Sequence, residues 1–330
     1  MRRACFAGVG AALPSRVVAN AEIEDRLGVE RGWIERTGIR ERRILGADES
    51  LVDLAERAVR DALAAASVPP SAVDALVVAT TSSAYRFPSL ACLLHERLGL
   101  RAVPAFDVAA ACAGFPYALT VADQGVRAGD YGVVVVVGAD CLSAFVDPCD
   151  RATAPLFGDG AGAVVLCGAG ATSADTAPAA ARGILACRLR ALGAQWSILT
   201  APLGAPQVAS VAAAAAWMHM DGPEVFRVAV EHLVDLTREA LAVAGVAPAD
   251  VALFVPHQAN VRIIRMMLQL LRIDESRAMV NLSRYGNTSA ASIPIALTEA
   301  VREGRLAHGD LVVLNAVGGG ITAGAVVARW

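Results

Sequence analysis

Lysine is missing from all 330 residues, so each of the 29 basic side chains is an arginine. That absence closes several reaction classes: no Schiff base, no phosphate-cradling GK[ST] loop and no S-x-x-K nucleophile can be built. Charge is sparse as well, 18% of residues with a formal net charge of -3, which leaves no basic footprint for nucleic acid. The seven cysteines (Cys5, Cys92, Cys112, Cys141, Cys149, Cys167, Cys187) are odd in number and never spaced C-x-x-C. They read as free thiols in a reducing compartment, not as a zinc or disulfide framework. No apolar stretch approaches the ~18 residues a membrane span needs; residues 133–139 and 211–218 are the strongest runs. The opening MRRACFAGVGAALPS is interrupted by Gly8 and Gly10 and reads as a first strand in preference to a signal peptide. A cytoplasmic, soluble protein is the expectation. Neither Gly8-Val9-Gly10-Ala11-Ala12-Leu13 nor the cluster at Gly158, Gly160 and Gly162 has dinucleotide-binding spacing.

What the chain does have is material for a large core, 55% hydrophobic, and an internal repeat. Residues 60–78 (RDALAAASVPPSAVDALVV) resemble residues 238–256 (REALAVAGVAPADVALFVP) without a gap, at an offset of 238 - 60 = 178. Each copy reads as an Ala-rich amphipathic helix, a Pro-containing turn, a buried β run, a loop, another helix and a second buried β run. Continuous runs such as VVVVV suit strands covered on both faces, which makes the chain α/β. GAGAVVL (160–166) and TAGAVVA (322–328) match at an offset of 322 - 160 = 162, so the first copy carries 178 - 162 = 16 extra residues, roughly 141–156. The halves are expected at 1–170 and 171–330, divided in the Ala/Gly/Ser/Thr-rich stretch 168–181, with a site at their interface.

Equivalent loops of the two copies hold different reactive groups. Cys112 lies between a strand and a helix in DVAAACAGFPYAL, His257 directly follows the strand ALFV, and Asn287 is expected to open a helix in RYGNTSAAS. Their counterparts at the same offset are Ala290, Ala79 and Ala109. A free cysteine is ordinarily a small buried hydrophobe, but a helix N-terminus favours the nucleophilic thiolate. An isolated strand-end histidine is ordinarily structural, and Asn287 after Gly286 has the bland reading of a helix cap. Flanking one thioester carbonyl, the two would instead stabilise a developing enolate. Gly318-Gly319-Gly320 after the last buried strand reads as a turn, or as backbone N–H groups aimed at an oxyanion. The other cysteines, and His95, His219, His232 and His308, read as structural or solvent-facing.

The segments WIERTGIRERR (33–43), ATTS (79–82), FPSLAC (87–92), PAFDVAAACAGF (104–115), DR (150–151), FGDGAGA (157–163), PHQANVRII (256–264), GNTSAAS (286–292) and GGG (318–320) together resemble the β-ketoacyl-acyl carrier protein synthase III family over essentially the whole chain. The resemblance implies a thiolase-like fold, duplicated halves in five layers α-β-α-β-α, in a homodimeric acyltransferase. It further implies that Cys112 takes an acyl group from acyl-CoA, while His257 and Asn287 hold malonyl-acyl carrier protein for decarboxylative Claisen condensation. The N–H groups of Cys112 and Gly319 are similar to that family's oxyanion hole. Trp33, Arg36 and Arg151 are similar to its coenzyme A contacts, with Gly222 and Asn260 nearer the pantetheine arm. Phe87 resembles the residue that enters the partner's acyl pocket, alongside Leu142 and Phe157. Such chemistry needs no metal, nicotinamide or flavin. Arg262, Arg265 and Arg272 are spaced for one helix face that an acidic carrier protein could dock on. Val317, Ile321 and Ala323 stand where aromatics are usual, and Pro223 where asparagine is, which leaves acyl length and acceptor open. A degradative thiolase would need a late second cysteine, and a chain-elongating synthase a second histidine at Asn287. A specialised relative serving a secondary metabolite, a vitamin precursor or ester or amide formation is a rival, as is a non-catalytic dimeric scaffold.

Overall fold

The computed structural model describes residues 2–168, 182–201 and 217–330; the expected boundary between residues 170 and 171 lies outside them. In chain order the elements are β1 (Ala4–Ala12), β2 (Arg16–Ala19), α1 (Asn20–Leu27), β3 (Glu41–Ile44), α2 (Leu51–Ala66), β4 (Ala75–Ala79), α3 (Leu90–Leu98), β5 (Ala105–Val108), α4 (Gly114–Ala128), β6 (Val133–Cys141) and β7 (Asp159–Gly168). Then follow β8 (Gly183–Ala191), β9 (Leu199–Thr200), β10 (His219–Met220), α5 (Gly222–Ala244), β11 (Leu253–Pro256), α6 (Val261–Leu271), α7 (Leu282–Tyr285), α8 (Ser292–Arg302), β12 (Leu311–Gly318) and β13 (Thr322–Arg329).

One sheet has the order β1-β7-β6-β4-β5 and the other β11-β12-β13-β8. In both, the second and third long strands of a half pair in parallel (β4 with β6, β11 with β12), and an antiparallel hairpin partner follows (β7, β13). Beside β11, a bridge between Phe254 and Ala278 stands where the first sheet has β5. Helices α4 and α8 lie between the sheets, α2 and α3 cover the first sheet's outer face, and α5 and α6 cover the second's. This is the five-layer thiolase arrangement. The VVVVV run opens β6, and Val134, Val135, Val136 and Val137 are enclosed between α2 and the central helices, which is why it needs no polar alternation.

The duplication is kept at the level of single turns. Helix α2 ends on Ser67 at φ 54° and α5 on Gly245 at φ 66°, and 245 - 67 = 178. Ala111 and Ser289, again 178 apart, both sit in the left-handed region at φ 46° and 52°. Each opens a short 3₁₀ turn that feeds a central helix, Ala111–Ala113 into α4 and Ser289–Ala291 into α8. The expected extra residues of the first copy form a 3₁₀ turn, Leu142–Phe145, and the loop that follows. Among the described residues no helix is long and apolar enough to cross a membrane.

Candidate functional site

A cavity of about 1110 Å³ opens between the halves. Its lining includes Cys112, His257, Asn287 and Gly319 together, with Trp33, Arg36, Arg151, Gly222, Asn260, Leu142, Phe157, Val317 and Arg262. The extra loop of the first copy supplies much of its wall, from Leu142 and Phe145 to Arg151, Pro155 and Leu156. Three expected residues lie elsewhere. Phe87 is 86% exposed. Arg265 pairs with Glu275 at 3.3 Å, and Arg272 is the left-handed C-cap of α6. Arg262 instead stands over the Phe226 ring, 5.6 Å from its centroid, at the cavity wall.

Cys112 is held by close backbone approach. It sits in the middle of the turn before α4, and Gly318 at the end of β12 lies against it. A Cβ on Gly318 would stand 2.5 Å from the Cys112 nitrogen and 2.9 Å from that of Ala113. Burial pushes the Cys112 thiol up to about 12, although Ser289 and Asn287 pull it back down. Desolvation thus opposes the pull of the helix N-terminus on this sulfur. Thr322 Oγ1 on β13 donates to the Ala110 carbonyl at 2.8 Å, pinning the strand side of the same turn.

His257 follows β11, with its backbone N–H donating to the Asn315 carbonyl at 2.8 Å. The ring is buried, and burial pushes its pKa down to about 3, so it is neutral. Its Nδ1 is 2.6 Å from Ser292 Oγ. Asn287 does not open a helix; it precedes the turn Ser289–Ala291, and its Oδ1 accepts from the Ser289 N–H at 2.9 Å. That bond is the capping role in part, and it leaves the amide nitrogen for the cavity side, where the amide adjoins Cys112.

Polar residues that sequence reasoning passed over hold these groups in place. Gln258 spends its whole amide on backbone: Nε2 donates to Pro256 and Met279 carbonyls, and Oε1 accepts from Asn281 and Leu282. Asp140, fully buried, accepts from Thr81 N–H at 2.8 Å and Ser82 Oγ at 2.7 Å, and its other oxygen accepts from Ala290 N–H. It anchors the turn after Asn287 as Gly318 braces the turn at Cys112. Arg42, also fully buried, donates to Val18, Asn20 and Pro155, tying the β2–β3 ribbon to the cavity-mouth loop; burial pushes its pKa down to about 10. Arg42 and Gln258 fall inside the matching segments 33–43 and 256–264 and Asp140 in none of them, but the roles of all three come mainly from partners far along the chain.

The mouth is cationic. The Arg36 guanidinium stacks on Trp33 at 4.0 Å, and Arg151 and Arg262 line the same opening against one carboxylate among the described residues, Asp221. Such a set suits a phosphorylated ligand with a planar ring. Asn260 caps α6, accepting from Arg262 N–H, and Pro223 occupies the first turn of α5, where its missing N–H costs nothing. The interior beyond is apolar. A thiol, a neutral imidazole and a carboxamide at the inner end of an apolar channel can carry an acyl group and hold an oxyanion. Among the described residues the one cluster with metal-ligand geometry is Glu231, His232 and Asp235, on α5.

Two family models match the chain: 3-oxoacyl-[acyl-carrier-protein] synthase III over residues 106–182, and the C-terminal part of that enzyme over residues 241–330. A beta-ketoacyl-[acyl-carrier-protein] synthase III of Rhodospirillum centenum is 44% identical over 329 residues, 99% of each chain. The solved structure of 3-oxoacyl-[acyl-carrier-protein] synthase III from Aquifex aeolicus superposes with a TM-score of 0.90 at 42% identity, covering 99% of this chain and 100% of that one. A priming beta-ketosynthase from the R1128 polyketide biosynthetic pathway superposes at 0.88 with 34% identity, covering 99% and 96%.

Proposed function

The chain belongs to the 3-oxoacyl-[acyl-carrier-protein] synthase III family of condensing acyltransferases, and from that premise we propose that it joins an acyl group from acyl-CoA to malonyl-acyl carrier protein using Cys112, His257 and Asn287. The observation that carries the site assignment is their meeting, from two halves, in one cavity with an arginine-lined mouth.

Acyl-CoA enters with its nucleotide at Trp33, Arg36 and Arg151 and its pantetheine past Gly222 and Asn260. The Cys112 sulfur loses its proton and attacks the thioester carbonyl, whose oxygen is held by the N–H groups of Cys112 and Gly319. Coenzyme A leaves as thiolate and takes up that proton, so one thioester replaces another at little cost. The malonyl thioester then loses CO₂, and the electron pair of the broken C–C bond delocalises onto its carbonyl oxygen. His257 and Asn287 donate to that oxygen, each donor contributing ~3 kcal/mol. The enolate carbon attacks the Cys112 thioester, and the sulfur departs as thiolate and takes up a proton from solvent. The acyl chain rests against Leu142, Phe157 and Val317. The acidic carrier protein docks beside the mouth on the surface carrying Arg262, Arg265 and Arg272.

The working unit is a homodimer. Phe87 lies beside β5, since Asp107 on that strand accepts from the Leu90 and Ala91 N–H groups just beyond it, and β5 ends its sheet. An exposed phenylalanine next to an open strand edge suits a second copy of this chain.

Intact-protein mass after exposure to acyl-CoAs tests the assignment. Cys112→Ala forms no adduct, whereas His257→Ala forms it but does not decarboxylate malonyl carrier protein. Normal condensation by the histidine variant removes its role. A priming step for a specialised pathway is the second reading, favoured by the match to the R1128 priming enzyme and by Val317 and Ile321 in the channel. A profile of accepted acyl chain lengths separates the two.

A further inference from the structure

We propose that Ser292 is a positioning residue that fixes the tautomer of His257, holding the ring proton on Nε2 so that the imidazole meets the malonyl thioester as a hydrogen-bond donor. The inference rests on the reading of His257 given above and deepens it.

The argument is a count of donors and acceptors. Ser292 is the first residue of α8 and almost wholly buried. Its hydroxyl has one proton to give and two lone pairs to offer. The backbone N–H of Gln258 points at Oγ from 3.4 Å and takes up one lone pair. The other neighbour is His257 Nδ1 at 2.6 Å, and among the described residues no further acceptor lies within reach of that hydroxyl. If Nδ1 carried the ring proton and donated to Oγ, the hydroxyl hydrogen would be buried with nowhere to go. If the hydroxyl donates to a bare Nδ1, all three groups are satisfied. Buried donors left unmade are costly, so the second arrangement wins.

Burial keeps the ring neutral, and a neutral imidazole has a single proton, which therefore sits on Nε2. Nε2 is the opposite edge of the ring from Ser292, and it has no protein partner among the described residues, although His257 lines the cavity. The donor is thus set before substrate arrives and needs no reorganisation during decarboxylation. The same arrangement removes the free Nε2 lone pair that would let His257 accept the Cys112 proton. Ser292 and His257 consequently belong to the second half of the reaction, not to acyl loading. Gln258 serves the same end by fixing the backbone between them, its own side chain saturated by four backbone groups.

The test reads the tautomer directly, without substrate. In protein carrying ¹⁵N-labelled histidine, the His257 signals are identified by their loss in His257→Ala. Expected is a pyridine-type Nδ1 and a pyrrole-type, protonated Nε2 in the unaltered protein, and a mixture of the two tautomers in Ser292→Ala. That variant should load Cys112 from acyl-CoA at an undiminished rate, which also shows it is folded, while condensation falls toward the roughly 100-fold loss that accompanies removal of one preorganised donor. A protonated Nδ1 in the unaltered protein overturns the inference whatever the half-reactions show. Ser292→Ala with both tautomer and condensation unchanged overturns it too. Normal condensation by His257→Ala sinks the underlying reading instead, and the substrate-free spectrum tells the two failures apart.

Discussion

A buried imidazole carries a cost that appears only in acid. In the folded chain His257 resists protonation down to about pH 3, against an ordinary value of 6.5. Its folded pKa is depressed, so between the two values the unfolded chain binds the extra proton and stability falls as pH drops. The contribution is fully present above pH 6.5 and shrinks below it; at about pH 5 roughly 2 kcal/mol is lost. Denaturant midpoints at about pH 7 and pH 5 should show His257→Gln losing less stability than the unaltered protein by about that amount. Equal losses would mean that the ring is solvated. Single residues were legible where chemistry singles out a type: a cysteine at a strand-helix junction, a histidine at a strand end, an asparagine after glycine. Ser292, Gln258 and Asp140 were not, because serine, glutamine and aspartate are common and their roles come from partners far along the chain, such as Ala290 for Asp140.

Two short turns with strained backbone do the positioning, and both are braced by a strand that has no side chain at the contact. Gly318 backs the turn at Cys112, and Gly138 on β6 backs its duplicate, where a Cβ would run into the Ala290 carbonyl. Both obstacles are backbone, so neither can swing aside. Gly318→Ala should therefore displace the nucleophile and slow acyl loading on the order of 100-fold, as small misplacements of reacting atoms do. Gly138→Ala pushes on the turn that follows Asn287 and should weaken condensation more than loading. Stopped-flow release of coenzyme A and a condensation assay on the pre-acylated enzyme separate the two; identical profiles for both variants would show a general loss of packing. The elements themselves could be read from periodicity and from the offset of 178, which reappears in helix ends and in the left-handed turns. Where Asn287 falls relative to its helix could not, because three residues of 3₁₀ turn intervene.

For the molecule as a whole, the halves share a core: one cluster of buried side chains joins Phe115 and Leu119 on α4 with Leu297 on α8, Val136 on β6 and Leu314 on β12. The cavity follows from that fusion, since each half alone would leave its reactive loops facing water. Phe87 is the feature a single chain leaves unexplained. If a second copy covers it, burial contributes about 2 kcal/mol for each of two symmetric sites. Phe87→Asp should then raise the dimer dissociation constant roughly a thousandfold. Sedimentation at micromolar and nanomolar protein checks this, and a variant that stays dimeric at both would move the interface elsewhere.

Sequence alone determined the α/β class, the duplication, the free thiols and the exclusion of amine chemistry, because these follow from composition, period and repeat, which are properties of the chain read in order. It also narrowed the reactive groups to three by contrasting each with an alanine in the other copy. Tertiary structure alone decided the desolvation of Cys112 and His257, the pairing of Arg265 with Glu275 and the partners of Ser292. Each of those depends on desolvation and on contacts across the fold, and neither quantity exists until the two halves have closed around the cavity.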